Sequence, residues 1–192
     1  MNFQRGSFRE VTMETKDCIL TRRSVRRFTD RPVPHETIRQ MVSLAAYAPS
    51  WKNTQVTRYY AVEDQAVKEE IADNCVLGFE SNAKIIRRCP VLMVITYKHG
   101  ISGYEKSGEP TTGKDDRWEV FDSGIATQTF CLAAHDLGLG TVIMGIFDDD
   151  KVAETVGVSD GEIVAALVAL GYPDGDPKAP PRKDADALLN FR

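Results

Sequence analysis

Thr21-Arg22-Arg23-Ser24-Val25-Arg26-Arg27-Phe28 packs four arginines into six positions of a chain whose formal net charge is -4. A guanidinium stays charged across the physiological range and presents a planar fork of donors that matches phosphate or carboxylate. In an extended segment Arg22, Ser24 and Arg26 fall on one side, and Arg23, Val25 and Arg27 on the other. Two guanidinium groups flanking a hydroxyl form a cradle for a phosphate dianion. Read alone, the same residues would equally serve a solvated basic turn or a set of surface ion pairs.

The chain around this stretch has 192 residues, 42% of them hydrophobic and 27% charged, which suits one globular domain (residues 1–192) with a substantial core. Its mild acidity argues against a nucleic-acid partner, which selects for a basic face over a whole domain. Cys18, Cys75, Cys89 and Cys131 are scattered with no CxxC pair and read as reduced, buried thiols. Met1–Val11 is polar and has no leader-like apolar stretch, and the longest apolar run, Ile163–Leu170, is too short to span a bilayer. These features describe a soluble, cytoplasmic protein with no membrane partner.

Along the chain, residues 1–11 read as an N-terminal arm and Thr12–Arg22 as a short helix ahead of the basic stretch. Val33–Tyr47 predicts a helix with Pro34 in its first turn and Ile38, Met41, Val42 and Ala45 on one face. Thr57–Val62 predicts a strand, and Asp64–Asp73 a helix with Asp64 as its N-cap. Phe79–Arg88 reads as a further helix and Val91–Tyr97 as a strongly apolar strand. Lys98–Arg117 holds four glycines, a proline and mixed charge, the composition of a long binding loop or lid. Trp118–Leu137 is the longest helix, with Phe121, Ile125, Gln128, Cys131 or Leu132, and His135 stepping along it and Gly138 at its end; it is expected to be central and largely buried. Thr141–Ile146 and Glu162–Gly171 predict strands separated by a capped helix at Asp148–Val156, and residues 173–192 form a proline-rich C-terminal arm.

Familiar catalytic patterns do not emerge from this layout. Gly138, Gly140 and Gly145 have the wrong spacing for a dinucleotide fingerprint and run from helix into strand. His35, His99 and His135 share no metal-ligand spacing with each other or with the cysteines, so no metal site is expected. Such a chain suits a cofactor that performs the reaction while the protein holds and orients it. Two further stretches offer polar contacts for one: Ala48-Pro49-Ser50-Trp51-Lys52-Asn53-Thr54-Gln55, and Pro180-Pro181-Arg182-Lys183.

Taken together, Arg22-Arg23-Ser24-x-Arg26-x-Phe28, Ala48-Pro49-Ser50-x-x-Asn53-x-Gln55, Leu137-Gly138-Leu139-Gly140-Thr141, and Gly171-Tyr172-Pro173 followed by Pro181-Arg182-Lys183 resemble the nitroreductase family of FMN-dependent oxidoreductases, over about residues 15–191. The resemblance implies an α+β fold with a mixed, mainly antiparallel sheet flanked by helices, in an intertwined homodimer with the long helix at its interface. It implies that Arg22, Arg23, Ser24 and Arg26 contact the flavin phosphate and pyrimidine, joined by Arg182 and Lys183; that Pro49, Ser50 and Asn53 reach the flavin from the other subunit; that Asn82 is a polar ring or ribityl contact; and that Ile143, Met144 and Gly145 run beside the ring. The family often follows its glutamine with Pro-Trp, where this chain has Val56-Thr57 after Gln55, and Met144 stands where some members carry glutamate.

The implied activity is hydride transfer from NADH or NADPH through FMN to an electron-poor small molecule, a nitroaromatic or quinone, by ping-pong kinetics. Arg23, then Lys52, are candidates for the cation facing the reduced ring, and Trp51, Lys52 and Tyr104, with Glu105 and Lys106, for acceptor contacts. Reductive dehalogenation, azoline oxidation or flavin fragmentation would use the same FMN residues. A non-catalytic nucleotide-binding module would use the same arginines.

Overall fold

A computed structural model describes residues 13–192. The expected N-terminal arm and the first residue of the first predicted helix lie outside these residues. Helix α1 (Thr15–Thr21) leads into the arginine stretch, and α2 (His35–Ala45) follows it, with Pro34 at the N-cap rather than inside the first turn. A single 3-10 turn (Trp51–Asn53) precedes β1 (Thr57–Val62), α3 (Gln65–Asn74), α4 (Glu80–Arg88) and β2 (Val91–Lys98). Then come α5 (Arg117–Asp136), β3 (Gly140–Met144), α6 (Asp149–Val156) and β4 (Glu162–Gly171). Caps fix several of these boundaries. Asp64 accepts from the amides of Ala66 and Val67, Asp148 from that of Lys151, and Gly157 closes α6 in the left-handed conformation.

The four strands form one sheet in the order β1-β2-β4-β3. Among the described residues every strand pairing is antiparallel, and the parallel pairing there is the single bridge from Ser24 to Thr141. Between β1 and β2 the chain passes through two helices, α3 and α4, so it returns in the opposite sense. Both faces of the sheet are covered. Leu92, Val94, Leu167, Ala169, Val142 and Met144 pack with α3, α4 and α6 on one side, while Val91, Met93, Ile95, Val168 and Leu170 pack with α2 and α5 on the other. Two-sided burial explains why β2 reads as an unbroken apolar run instead of an alternating one.

Helix α5 departs from the expected orientation. Its buried residues are Glu119, Asp122, Ser123, Ala126, Thr127, Phe130, Cys131, Ala133 and Ala134, whereas Phe121, Gly124 and Gln128 lie exposed. The alanines let α5 lie close to the sheet, and the two carboxylates turn inward because neighbouring loops donate hydrogen bonds to them. An apolar strip, with Val120 52% and Phe121 58% exposed, is left on the outer face.

Candidate functional site

The arginine stretch is stitched to the edge of the sheet. Val25 donates its amide to the Thr141 carbonyl at 2.9 Å, and its side chain is buried against Gly140. A Cβ on Gly140 would lie 2.5 Å from Val25 Cγ2, so only glycine permits this approach. Gly171 does likewise on neighbouring β4, where a Cβ would lie 2.6 Å from Pro90 Cδ and 3.0 Å from Phe28 Cδ1. Phe28 pairs with Pro173, and the Thr29 amide donates to the Tyr172 carbonyl. Gly140 of Leu-Gly-Leu-Gly-Thr and Gly171 of Gly-Tyr-Pro thus serve to seat the basic segment.

Once seated, the arginines divide. Arg22 and Arg23 line a cavity of about 310 Å³ with Thr21, His135, Thr141 and Pro177, whereas Ser24 and Arg26 line a neighbouring one of about 240 Å³ with Arg27 and Asp174. Strict alternation is broken at Arg23, whose guanidinium folds back onto the Leu20 and Arg22 carbonyls (2.7 and 2.8 Å) at the C-terminal end of α1. Arg27 is used structurally, with its guanidinium on the Asp174 carbonyl at 3.1 Å. Among the described residues, Arg22, Arg23 and Arg26 make no ion pair with a carboxylate. His135 shares the larger cavity and bonds Thr21 Oγ1 at 2.8 Å. Its pKa is held below the ordinary imidazole value, first by burial and then by Arg22 and Arg23.

The Ala48–Gln55 loop is strained and tied down. Lys52, Asn53 and Gln55 all have left-handed backbones (φ 45°, 58° and 48°), which residues with a side chain resist. Ser50 Oγ accepts from the Gln55 amide, and Gln55 Nε2 donates to Asn53 Oδ1. Pro49, Asn53 and Gln55 remain exposed. Pro49 and Ser50 line a groove of about 580 Å³ between α2, β1 and α5, separate from the arginine cavities. Within one chain the structure therefore does not bring this loop to the arginines.

Trp51, Lys52 and Tyr104 do come together, around a cavity of about 680 Å³ that also takes in Glu105 and Lys106. Lys52 pairs with Glu105 at 3.3 Å, and the Glu105 carboxyl is held below its ordinary pKa by Thr111 and then Lys52. The loop of residues 99–116 is fixed at its base. Ser102 and Gly103 are buried, and a Cβ on Gly103 would meet Asp115 O at 2.8 Å and Trp118 Cδ1 at 2.9 Å. Two acids that the sequence reading passed over hold it: Glu119 accepts from the Ile101 amide (2.8 Å) and His99 Nδ1 (3.0 Å), and Asp122 from Ser102 Oγ (2.6 Å) and the Trp51 amide (2.9 Å). The signal available was their spacing of three, which puts both on one side of the helix beside Ser123 and Ala126.

The other expected contacts are distributed as follows. Asn82 is buried and donates to the Ile146 carbonyl at 3.3 Å. On β3 Ile143 is 49% exposed, while the Met144 side chain is buried in the core, leaving only its backbone to face a ligand. Gly145 is exposed just beyond. Arg182 and Lys183 are exposed and line neither arginine cavity; Arg182 donates to the Pro180 and Pro181 carbonyls instead.

Comparison with known proteins interprets this geometry. A model of the Nitroreductase family matches residues 19–83 and 79–172. The chain belongs to the nitroreductase family. An NADPH-flavin oxidoreductase of Vibrio harveyi is 28% identical over 181 residues, covering 92% of this chain and 72% of the relative. The FMN reductase (NADPH) of Bacillus subtilis is 28% identical over 188 residues, with the same two coverages of 92% and 72%. The solved NADPH:FMN oxidoreductase of Vibrio harveyi, complexed with NAD+, superposes with a TM-score of 0.75 at 26% identity, covering 92% of this chain and 76% of that one. Among the described residues no helix is long and apolar enough to cross a membrane.

Proposed function

We propose that the chain is an FMN-dependent enzyme that takes hydride from NADH or NADPH and delivers it to an electron-poor acceptor, a nitroaromatic or quinone, as a homodimer with two-chain flavin sites. One observation carries this reading. On the segment bridged to the edge of β3, Arg22 and Arg26 flank Ser24 in sequence, line adjacent cavities and have no carboxylate partner among the described residues. Guanidinium groups without a carboxylate partner fit a phosphate dianion, and half-exposed Ile143, two residues beyond Thr141 on β3, offers an apolar surface for a flat ring. The residues present fit FMN on these grounds.

In this reading Arg22, Ser24 and Arg26 hold the phosphate, with Arg182 and Lys183 reaching the corresponding site of a second copy. Pro49, Ser50 and Asn53 cross to that copy's ring. Exposed apolar residues on α5 (Val120, Phe121), on α2 (Leu44) and on the tail (Leu188, Leu189, Phe191) supply surface for such an association. Asn82 and the backbone of residues 143–145 border the ring. Arg23, fixed on two carbonyls, is a stationary cation for the pyrimidine edge, and Lys52, paired with Glu105, is a second. Trp51, Lys52 and Tyr104 bound the acceptor. FMN, when bound, supplies the exchange of a hydride equivalent between the nicotinamide and the acceptor, which occupy one site in turn. Each charge-assisted phosphate contact contributes on the order of 1.5–3 kcal/mol, so Arg26→Ala weakens FMN roughly ten- to a hundredfold.

The test is spectroscopic. The purified chain, loaded with FMN, shows the two flavin absorption bands, bleaches without oxygen on addition of NADH or NADPH, and regains colour with p-benzoquinone. A chain that binds no added FMN overturns the proposal.

A further inference from the structure

The flavin-side loop and the lid are separate in sequence but share one buried post. Asp122 Oδ2 accepts from the Trp51 amide of the first and from Ser102 Oγ of the second, at 2.9 and 2.6 Å. Ser102 is fully buried, and its hydroxyl also meets Thr54 Oγ1 at 2.6 Å, so the chain of bonds runs Thr54–Ser102–Asp122–Trp51 and closes back on the first loop. At the exposed rim there is another link, the Lys52–Glu105 ion pair. Trp51 lies against Trp118 of α5 with ring centroids 5.1 Å apart. A loop with three left-handed side-chain-bearing residues does not hold its shape unaided, and a buried carboxylate accepting two bonds is a rigid anchor.

We infer that Asp122 is a positioning residue that couples the Ala48–Gln55 loop to the lid, so that grip on the flavin and closure over the acceptor rise and fall together. The inference rests on the reading of that loop as a flavin contact. It ties the lid to the cofactor site, although no residue of the lid is assigned to FMN.

Thr54 tests it with little risk to folding, because Thr54→Val deletes the hydroxyl at constant shape and Thr54→Ser keeps it. Three readouts are taken on the full chain: hydrogen exchange of the Trp51 and lid amides without flavin, the FMN dissociation constant from flavin fluorescence, and KM and kcat for p-benzoquinone. In Thr54→Val the amides exchange faster, and the FMN constant and KM each rise roughly three- to tenfold, the range for residues of one network, while kcat stays within about twofold. Thr54→Ser restores all three. Wild-type exchange in Thr54→Val, faster exchange with an unmoved FMN constant, or equal effects of Val and Ser overturn the coupling. A wild-type chain that binds no FMN defeats the functional reading, and this inference with it. A wild-type chain that binds FMN no tighter than Thr54→Val defeats this inference alone.

Discussion

Gly140→Ala asks whether the arginine stretch is held where it is by close approach to the sheet. The added Cβ would sit 2.5, 2.7 and 2.9 Å from Val25 Cγ2, Cβ and Cγ1, distances that real Cβ atoms essentially never show. Val25 is buried and joined to Thr141 by a backbone bond, so relief requires the whole segment to lift from the strand. Overpacking of this kind costs about 1–3 kcal/mol, and loss of the Val25–Thr141 bond about 0.5–1.5 more. A total near 2–4 kcal/mol lowers Tm by roughly 5–15 °C in a chain of this length. Thermal unfolding by circular dichroism measures it, with Gly113→Ala as control, because a Cβ there meets nothing within 4 Å. FMN affinity falls alongside in Gly140→Ala, because Arg22 and Ser24 move with the segment. If Gly140→Ala melts within about 2 °C of the control, the seating argument is wrong.

Other consequences are equally open to measurement. His135 is held below the ordinary imidazole pKa by burial and by Arg22 and Arg23, so its contribution to stability is present above the unfolded value and fades as pH falls below it. An FMN phosphate neutralising those arginines raises the His135 midpoint, seen as a shift of its ring-proton NMR titration to higher pH; an unmoved midpoint places the phosphate elsewhere. In mixed dimers, a chain carrying Arg22→Ala and Arg26→Ala combined with one carrying Ser50→Glu regains about half the flavin of wild type if each site uses both chains, whereas one-chain sites regain none. Gly103→Ala places a Cβ against Asp115 O and Trp118 at a φ of +87°, so the 99–116 loop loosens and trypsin cuts faster after Lys106 and Lys114; unchanged cleavage would show that the base of this loop does not depend on that contact.

The element boundaries were largely legible because the signals are local. Asp64 and Asp148 cap the helices expected of them, and Glu162–Gly171 forms the strand its apolar run suggested. The orientation of α5 was not legible, because its apolar residues girdle the helix and hydrogen bonds from residues 51, 99, 101 and 102 decide that Glu119 and Asp122 face inward. For the same reason the buried acids escaped the site reading: a carboxylate early in a helix also suits the helix dipole, and its loop partners lie 71 and 20 residues away from Asp122. Alternation along Arg22–Arg27 presumed an extended chain with side chains standing off it, and the return of Arg23 to the end of α1 is a tertiary detail. The glycines were visible as motif letters, but their steric purpose needed the neighbouring Val25, Pro90 and Phe28.

The proposed function requires a phosphate held by Arg22, Ser24 and Arg26. Titrating the protein with FMN and with riboflavin, which differ only in that phosphate, isolates its contribution. Two charge-assisted contacts predict that FMN binds about a hundredfold or more tighter than riboflavin, and that the advantage collapses in the Arg22→Ala, Arg26→Ala double variant. Equal affinity of the wild-type chain for the two flavins, or an FMN preference that survives loss of both arginines, would contradict it.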